Sequence, residues 1–249
     1  NYMKKIIGIA FTILTIGSLY FMSKGLVGIP LAYALITLHI ARLFAEMIVI
    51  KAIANKLTVR EDIKAEIPRK VIHMLVSLIT IPTIYHSFKG TYHLIIFFII
   101  AFVIIVIIDK IGFIKKIATR DGQGDDNIAS VYYMFAGFLI NSIISLFIPI
   151  YNPCILLGIM ALGLGDPFAC IFGKLFGKHK FKNGKSIEGF IAFIVGSIIA
   201  MYIATGIAIW QLIIIGIVGA IIELYSGKRD NMLIQVGIGL VSFIVLLFL

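Results

Sequence analysis

Residues 165–189 read GDPFACIFGKLFGKHKFKNGKSIEG. Asp166-Pro167 has the form of a helix start, because Asp suits the N-cap and proline the first helical position. A helix is therefore expected from Pro167 to about Phe176, stopping at Gly177. Gly165, Ala169, Gly173 and Gly177 recur every four residues and share one smooth face. Such a face suits close helix packing, and it equally suits close approach of a ligand to the backbone. Lys174, Lys178, Lys180, Lys182 and Lys185 follow, and Gly184-Lys185-Ser186 leads into a further apolar run. Free N–H groups at a helix start beside a lysine suit phosphate. A P-loop is excluded, since the glycine it needs five positions before Gly184 is His179.

The flanks of this stretch are apolar. The chain has 249 residues, of which 61% are hydrophobic and 14% charged, and its mean hydropathy is +1.09. Soluble domains carry about a quarter charged residues. Apolar runs fall at about 5–22, 25–50, 71–88, 91–108, 129–148, 150–165, 187–204, 207–222 and 231–249. Most are long enough to cross a bilayer, and none alternates as a barrel strand does. The expected fold is all-α, a polytopic transmembrane bundle of about nine spans forming a single domain over 1–249. The run Ile6 to Met22 reads as the first span and not as a cleaved signal. No internal repeat supports an inverted-repeat transporter.

Lysine and arginine fix an orientation. Lys51, Lys56, Arg60, Lys64, Arg69 and Lys70 lie between spans two and three. Lys110, Lys115, Lys116 and Arg120 lie between four and five, the five lysines of 174–185 between six and seven, and Lys228 and Arg229 between eight and nine. With nine spans these loops share a side with Lys4 and Lys5, while Lys24 and Lys89 lie opposite. The N-terminus and these loops are thus expected in the cytosol. The net charge of +10 is then a topology signal, and no nucleic-acid partner is expected. Cys154 and Cys170 are placed on opposite sides of the membrane and do not pair. Ile- and Lys-rich usage points to a prokaryotic plasma membrane.

Other polar groups gather on the cytosolic side. In Glu66-Ile-Pro-Arg69-Lys70-Val-Ile-His73, Pro68 suits a helix beginning, and Arg69 and His73 share a face. Arg suits phosphate, and His73 can act as base or donor. Glu223 and Asp230-Asn231 offer hard oxygen ligands of the kind Mg²⁺ prefers beside substrate phosphates, though Asp-Asn is also a routine helix cap. Glu188, just inside a span, is costly unless it pairs or binds metal. The segment from Arg120 to Asn127 reads as a solvated loop, as do Glu61, Asp62 and Lys64. His39, Arg42 and Glu46 share a face in span two, suited to helix pairing or headgroup contact.

Together these motifs resemble the CTP-dependent lipid-alcohol kinases: dolichol kinase, phytol and farnesol kinase, and the fungal type of diacylglycerol kinase. That family is related to the phosphatidate cytidylyltransferases. Its pattern D-x-x-A-x-x-x-G-x-x-x-G is similar to Asp166, Ala169, Gly173 and Gly177, and its Lys-Ser/Thr-x-Glu-Gly to Lys185, Ser186, Glu188 and Gly189. Its R-K-x-x-H resembles Arg69, Lys70 and His73, and its late Glu…Asp-Asn resembles Glu223, Asp230 and Asn231. Arg120-Asp121-Gly122 with Tyr132-Tyr133 is similar to phytol-kinase-like members. The basic loop is slightly short, and Gly184 replaces the first of two paired lysines.

The resemblance covers about residues 60–235 as a kinase-like core, after two N-terminal spans in 1–56. It implies transfer of the γ-phosphate of CTP to the hydroxyl of a membrane lipid alcohol at the cytosolic interface. Asp166, Glu188, Glu223, Asp230 and Asn231 would hold Mg²⁺. Gly184, Lys185, Ser186, Arg69 and Lys70, with Ala169, Gly173, Gly177 and Gly189, would hold the nucleotide phosphates. Asp166, Lys185 and His73 are the expected catalytic groups, with His73 or an aspartate taking the hydroxyl proton. A cytidylyltransferase making a CDP-lipid is the alternative, although its C-terminal motifs are missing, and a transporter is the third reading.

Overall fold

Asn152–Phe176 forms one 25-residue helix with Pro167 inside it. The computed structural model describes residues 50, 53–54, 56–87, 91–110 and 126–248. The first apolar run, the body of the second with His39, Arg42 and Glu46, and the Arg120-Asp121-Gly122 loop lie outside them. Among the described residues the chain forms helices joined by short connections, one of which holds an isolated bridge between Lys180 and Ser186. Glu61–Leu75, a π-helical turn Val76–Thr80 and Ile81–Ser87 run on as α1. Then come α2 (Thr91–Lys110), α3 (Asp126–Phe147), α4 (Asn152–Phe176), α5 (Ile187–Thr205), α6 (Ile209–Ser226) and α7 (Asp230–Phe248).

Among the described residues, five stretches are long and apolar enough to cross a membrane: Glu61–His86, Ala129–Phe147, Pro149–Phe176, Ile187–Thr205 and Ile209–Phe248. The last contains both α6 and α7, separated by a 3-10 turn at Gly227–Arg229. Thr205-Gly206 divides α5 from α6 as expected. Gly206 sits at φ 65°, a left-handed cap in which its N–H reaches the Tyr202 carbonyl.

Helix α4 is the central element. In its most apolar window 72% of residues are buried, against 33–44% in the other four stretches. It packs most extensively on α5, then on α7 and α1. Small residues allow this on three sides. A Cβ on Gly158 would lie 2.6 Å from the Gln235 carbonyl of α7, and one on Gly163 would lie 2.8 Å from Ser77 Cβ of α1. Ile155, Leu157, Ile159 and Leu162 fill the spaces between, with Phe138, Phe193, Met201 and Ile238 from the neighbours.

Two expected helix starts are corrected. Asp166-Pro167 does not begin a helix, because the Asp166 carboxylate is drawn sideways to α1 and packing on both flanks carries α4 through the proline. Proline there removes the bond to the Gly163 carbonyl, a loss that membrane helices tolerate when neighbours close in. Pro68 also lies inside a helix: α1 begins at Glu61, where Glu61 and Asp62 complement the positive helix end. Glu61, Asp62 and Lys64 therefore occupy a first turn and not a loop. Cys154 and Cys170 are free thiols on the same helix, 16 positions or about 24 Å apart at 1.5 Å per residue.

Candidate active site

Four helices bring their polar ends together at one end of the bundle. Lys70 lies three turns into α1, Asp166 in the C-terminal half of α4, Glu223 in the last turn of α6, and Asp230 at the start of α7. Lys70 Nζ donates to Asp166 Oδ2 at 2.6 Å, and both residues are 3% exposed. His73, one turn on from Lys70, places Nδ1 3.7 Å from the same oxygen. The Leu162 carbonyl also bears on the His73 ring. It belongs to the turn of α4 that Pro167 loosens.

The second pair closes the cluster from the other side. Lys185 Nζ donates to Glu223 Oε1 at 2.6 Å and also to the Glu223 carbonyl. Negative charge on Asp166 and Asp230 acts on Glu223, and Asp230 feels Asp166, Lys70 and Lys185. Three carboxylates thus share a neighbourhood with two lysines. Buried ion pairs of this kind cost desolvation energy that their attraction only partly offsets, so they mark specificity or chemistry more than stability.

Lys185 is positioned by a hairpin that its sequence encodes. Phe181 N–H donates to the Lys185 carbonyl at 2.8 Å, and Gly184 N–H to the Phe181 carbonyl at 2.9 Å. Gly184 has φ +84°, a conformation glycine adopts without steric cost. Asn183 Nδ2 donates to the Leu224 carbonyl at 2.6 Å and so ties the turn to the end of α6. Phe181 turns inward onto Phe190, while Lys178, Lys180 and Lys182 are exposed. Lys185 instead turns to Glu223 as its ion-pair partner.

The small-residue face proves to be a packing seam. Ser186 is the N-cap of α5, accepting from Gly189 N–H at 3.1 Å. A Cβ on Gly173 would lie 2.9 Å from Ser186 Oγ, and one on Gly177 2.7 Å from Ser186 Cβ. A Cβ on Gly189 would lie 2.8 Å from the Ala169 carbonyl. Gly173, Gly177, Gly189, Ala169 and Ser186 therefore bring α4 and α5 into backbone contact beside the cluster.

The remaining predicted residues point elsewhere. Glu188 turns to the hairpin, where it accepts from His179 N–H and lies 2.8 Å from His179 Nδ1. Asn231 Nδ2 donates to Ser130 Oγ at 2.7 Å and the Ser130 carbonyl at 3.0 Å, anchoring α7 on α3. Arg69 bonds to Glu66 through Nε and Nη2, at 3.0 and 2.9 Å. Lys174 Nζ reaches the other Glu66 oxygen at 3.0 Å. Glu66, 2% exposed, is a site residue the sequence reading passed over. Its signal was the i,i+3 spacing to Arg69. Tyr132 and Tyr133 lie in α3, half-buried.

The arrangement defines a class: an integral membrane helical bundle with a buried, mixed-charge cluster where helix ends meet. Over 93 residues the chain is 33% identical to dolichol kinase sec59 of Schizosaccharomyces pombe (strain 972 / ATCC 24843), a match covering 34% of this chain and 18% of that protein. The chain thus spans under a fifth of the length of this curated relative. No family model matches it, and no solved structure does.

Proposed function

We propose that the protein is a CTP-dependent lipid kinase. It transfers the γ-phosphate of CTP to the hydroxyl of a membrane lipid alcohol, polyprenol- or phytol-like or a diacylglycerol. The observation that carries this reading is the convergence of Lys70, His73, Asp166, Lys185, Glu223 and Asp230 from distant parts of the chain. The partial likeness to a dolichol kinase supports the same chemistry. In this reading nine spans cross a prokaryotic plasma membrane, with the N-terminus and the cluster on the cytosolic side.

Phosphoryl transfer requires positioning and charge neutralisation more than covalent help from the protein. Lys70 supplies buried and Lys185 partly exposed positive charge to the phosphates, and Arg69 supplies a partly exposed guanidinium next to Lys70. The hydroxyl oxygen bonds to the γ-phosphorus as the bond to the β,γ-bridging oxygen breaks and CDP leaves. His73 and the aspartates of the cluster are the groups at hand for the hydroxyl proton.

Three mutually interacting carboxylates exceed their two lysines, a donor set that fits a hard divalent ion such as Mg²⁺. Asp166, Glu223 and Asp230 would hold it. Among the described residues, no three His, Cys, Asp or Glu side chains already stand in metal-binding arrangement. When bound, the ion shields the phosphate oxygens.

Purified full-length protein with Mg²⁺ and γ-labelled CTP should label a lipid in a panel of prenols, phytol and diacylglycerol. Asp166→Ala should abolish labelling, and so should Lys70→Met with Asp166→Leu, in which neither buried charge is left unpaired. No label in any acceptor overturns the proposal. With a lipid phosphate added to the panel, formation of CDP-lipid from it with release of labelled pyrophosphate would replace the proposal with the cytidylyltransferase reading.

A further inference from the structure

Among the described residues, two buried polar atoms on α1 have no hydrogen-bond partner: His73 Nε2 and Ser77 Oγ. His73 is 8% exposed and Ser77 fully buried. Leaving such atoms unpaired costs about 1–3 kcal/mol each, so native proteins rarely do it without a reason. The two residues are four apart, which places them on one face of the helix. Ser77 also declines the usual alternative. Ser142 and Ser197, both buried in helices, bond back to the carbonyls of Phe138 and Phe193 four residues earlier. Ser242 is likewise unpartnered, but no second unpartnered group lies one turn from it.

The local backbone explains why Ser77 stands apart. Val76–Thr80 is a π-helical turn, in which the Ile81 N–H bonds to the Val76 carbonyl five residues back. Single π turns inside α-helices concentrate at functional sites. Gly163 of α4 packs against this turn, where a Cβ would lie 2.8 Å from Ser77 Cβ and from Leu78 Cδ2.

The chemistry of the pair is complementary to one kind of group. A neutral imidazole accepts at one ring nitrogen, and His73 Nε2 is the nitrogen left without a partner. Ser77 Oγ carries a proton to donate. An alcohol hydroxyl both donates and accepts, and so satisfies both atoms at once. An anion would not be favoured by a lone pair on Nε2.

The order of residues along α1 gives this position a place in the site. Arg69 and Lys70 stand at the phosphate level, with Lys70 paired to Asp166. His73 and Ser77 follow within about 10 Å at 1.5 Å per residue. Deeper still, Ile81 and Ile84 are buried and apolar. The helix thus steps from cation to neutral polar to hydrocarbon.

We propose that His73 Nε2 and Ser77 Oγ form the subsite that holds the acceptor hydroxyl of the lipid alcohol. This rests on the kinase reading above and names where its acceptor binds.

The test is made on the full-length protein in detergent with geranylgeraniol as probe, its methyl ether as comparison and Ser142→Ala as control variant. The ether keeps the acceptor oxygen but has no proton for His73. The wild type and Ser142→Ala should retain the alcohol about tenfold more tightly than the ether. Ser77→Ala should weaken retention of the alcohol and of the ether about three- to tenfold each, since both present an oxygen to the Ser77 hydroxyl, and leave CTP affinity unchanged. Ser77→Cys, close in size to serine, guards against a packing effect and should lie between. Equal retention by wild type and Ser77→Ala overturns the subsite, as does a wild type that does not prefer the alcohol. If alcohol binding depends on Ser77 but no phosphate is transferred, the kinase reading fails and the subsite stands.

Discussion

At the residue scale, the Lys70–Asp166 pair carries the sharpest stability consequence. Both groups are 3% exposed, so removing one charge leaves the other buried and uncompensated. Lys70→Met is expected to destabilise the protein by about 3–5 kcal/mol, read as a lower thermal midpoint in detergent. Lys70→Met with Asp166→Leu should recover much of that loss, because an apolar pair needs no desolvation. The double variant should still show no transfer activity. Recovery of activity would place the reaction elsewhere. Glu223→Gln tests the second pair: Lys185 keeps the backbone carbonyl of residue 223 as a partner. Its stability loss should therefore be smaller than that of Lys70→Met, in the same thermal assay.

At the element scale, the α4–α5 seam and the hairpin make separate predictions. Gly189→Ala puts a Cβ 2.8 Å from the Ala169 carbonyl, whereas one at Gly216 meets nothing closer than 3.4 Å. Overpacking at Gly189 should cost about 1–3 kcal/mol. Gly216→Ala should leave the thermal midpoint nearly unchanged. Asn183→Ala removes the bond to the Leu224 carbonyl, and trypsin should then cut faster after the exposed Lys180 and Lys182. Seven of the apolar runs legible in the sequence fall within α1 to α7, because hydrophobic length is a local property. What local reading misplaced were the two prolines. Pro68 and Pro167 signal helix starts in an isolated chain, but here neighbouring helices hold the backbone through them. The π turn at Val76–Thr80 has no sequence signature, since its stability comes from packing against α4. The turn at Asn183-Gly184 could have been read from the dipeptide itself.

At the scale of the whole molecule, the motif residues were legible but their partnerships were not. Lys70 and Asp166 are 96 positions apart, and Lys185 and Glu223 are 38 apart. Nothing in either motif says which lysine meets which carboxylate; that follows from how α4 docks among α1, α5 and α7. It also sets the small-residue motif beside the cluster, where a Cβ on Gly173, Gly177 or Gly189 would meet the facing segment. The positive-inside expectation is the remaining statement about the molecule as a whole, and α5 offers a clean test of it. This helix has 19 residues, or about 28 Å, close to the thickness of a bilayer core. Ile191, Val195, Ile199 and Ile203 expose an apolar face along it, suited to lipid. Lys182 before α5 and Ala208 after it are both exposed, so they must lie on opposite sides if α5 spans. With Cys154 and Cys170 replaced by serine, Lys182→Cys should react with a membrane-impermeant maleimide only after cells are opened. Ala208→Cys should react in intact cells. The reverse pattern would put the charged cluster outside, away from any cytosolic nucleotide, and would remove CTP as the donor.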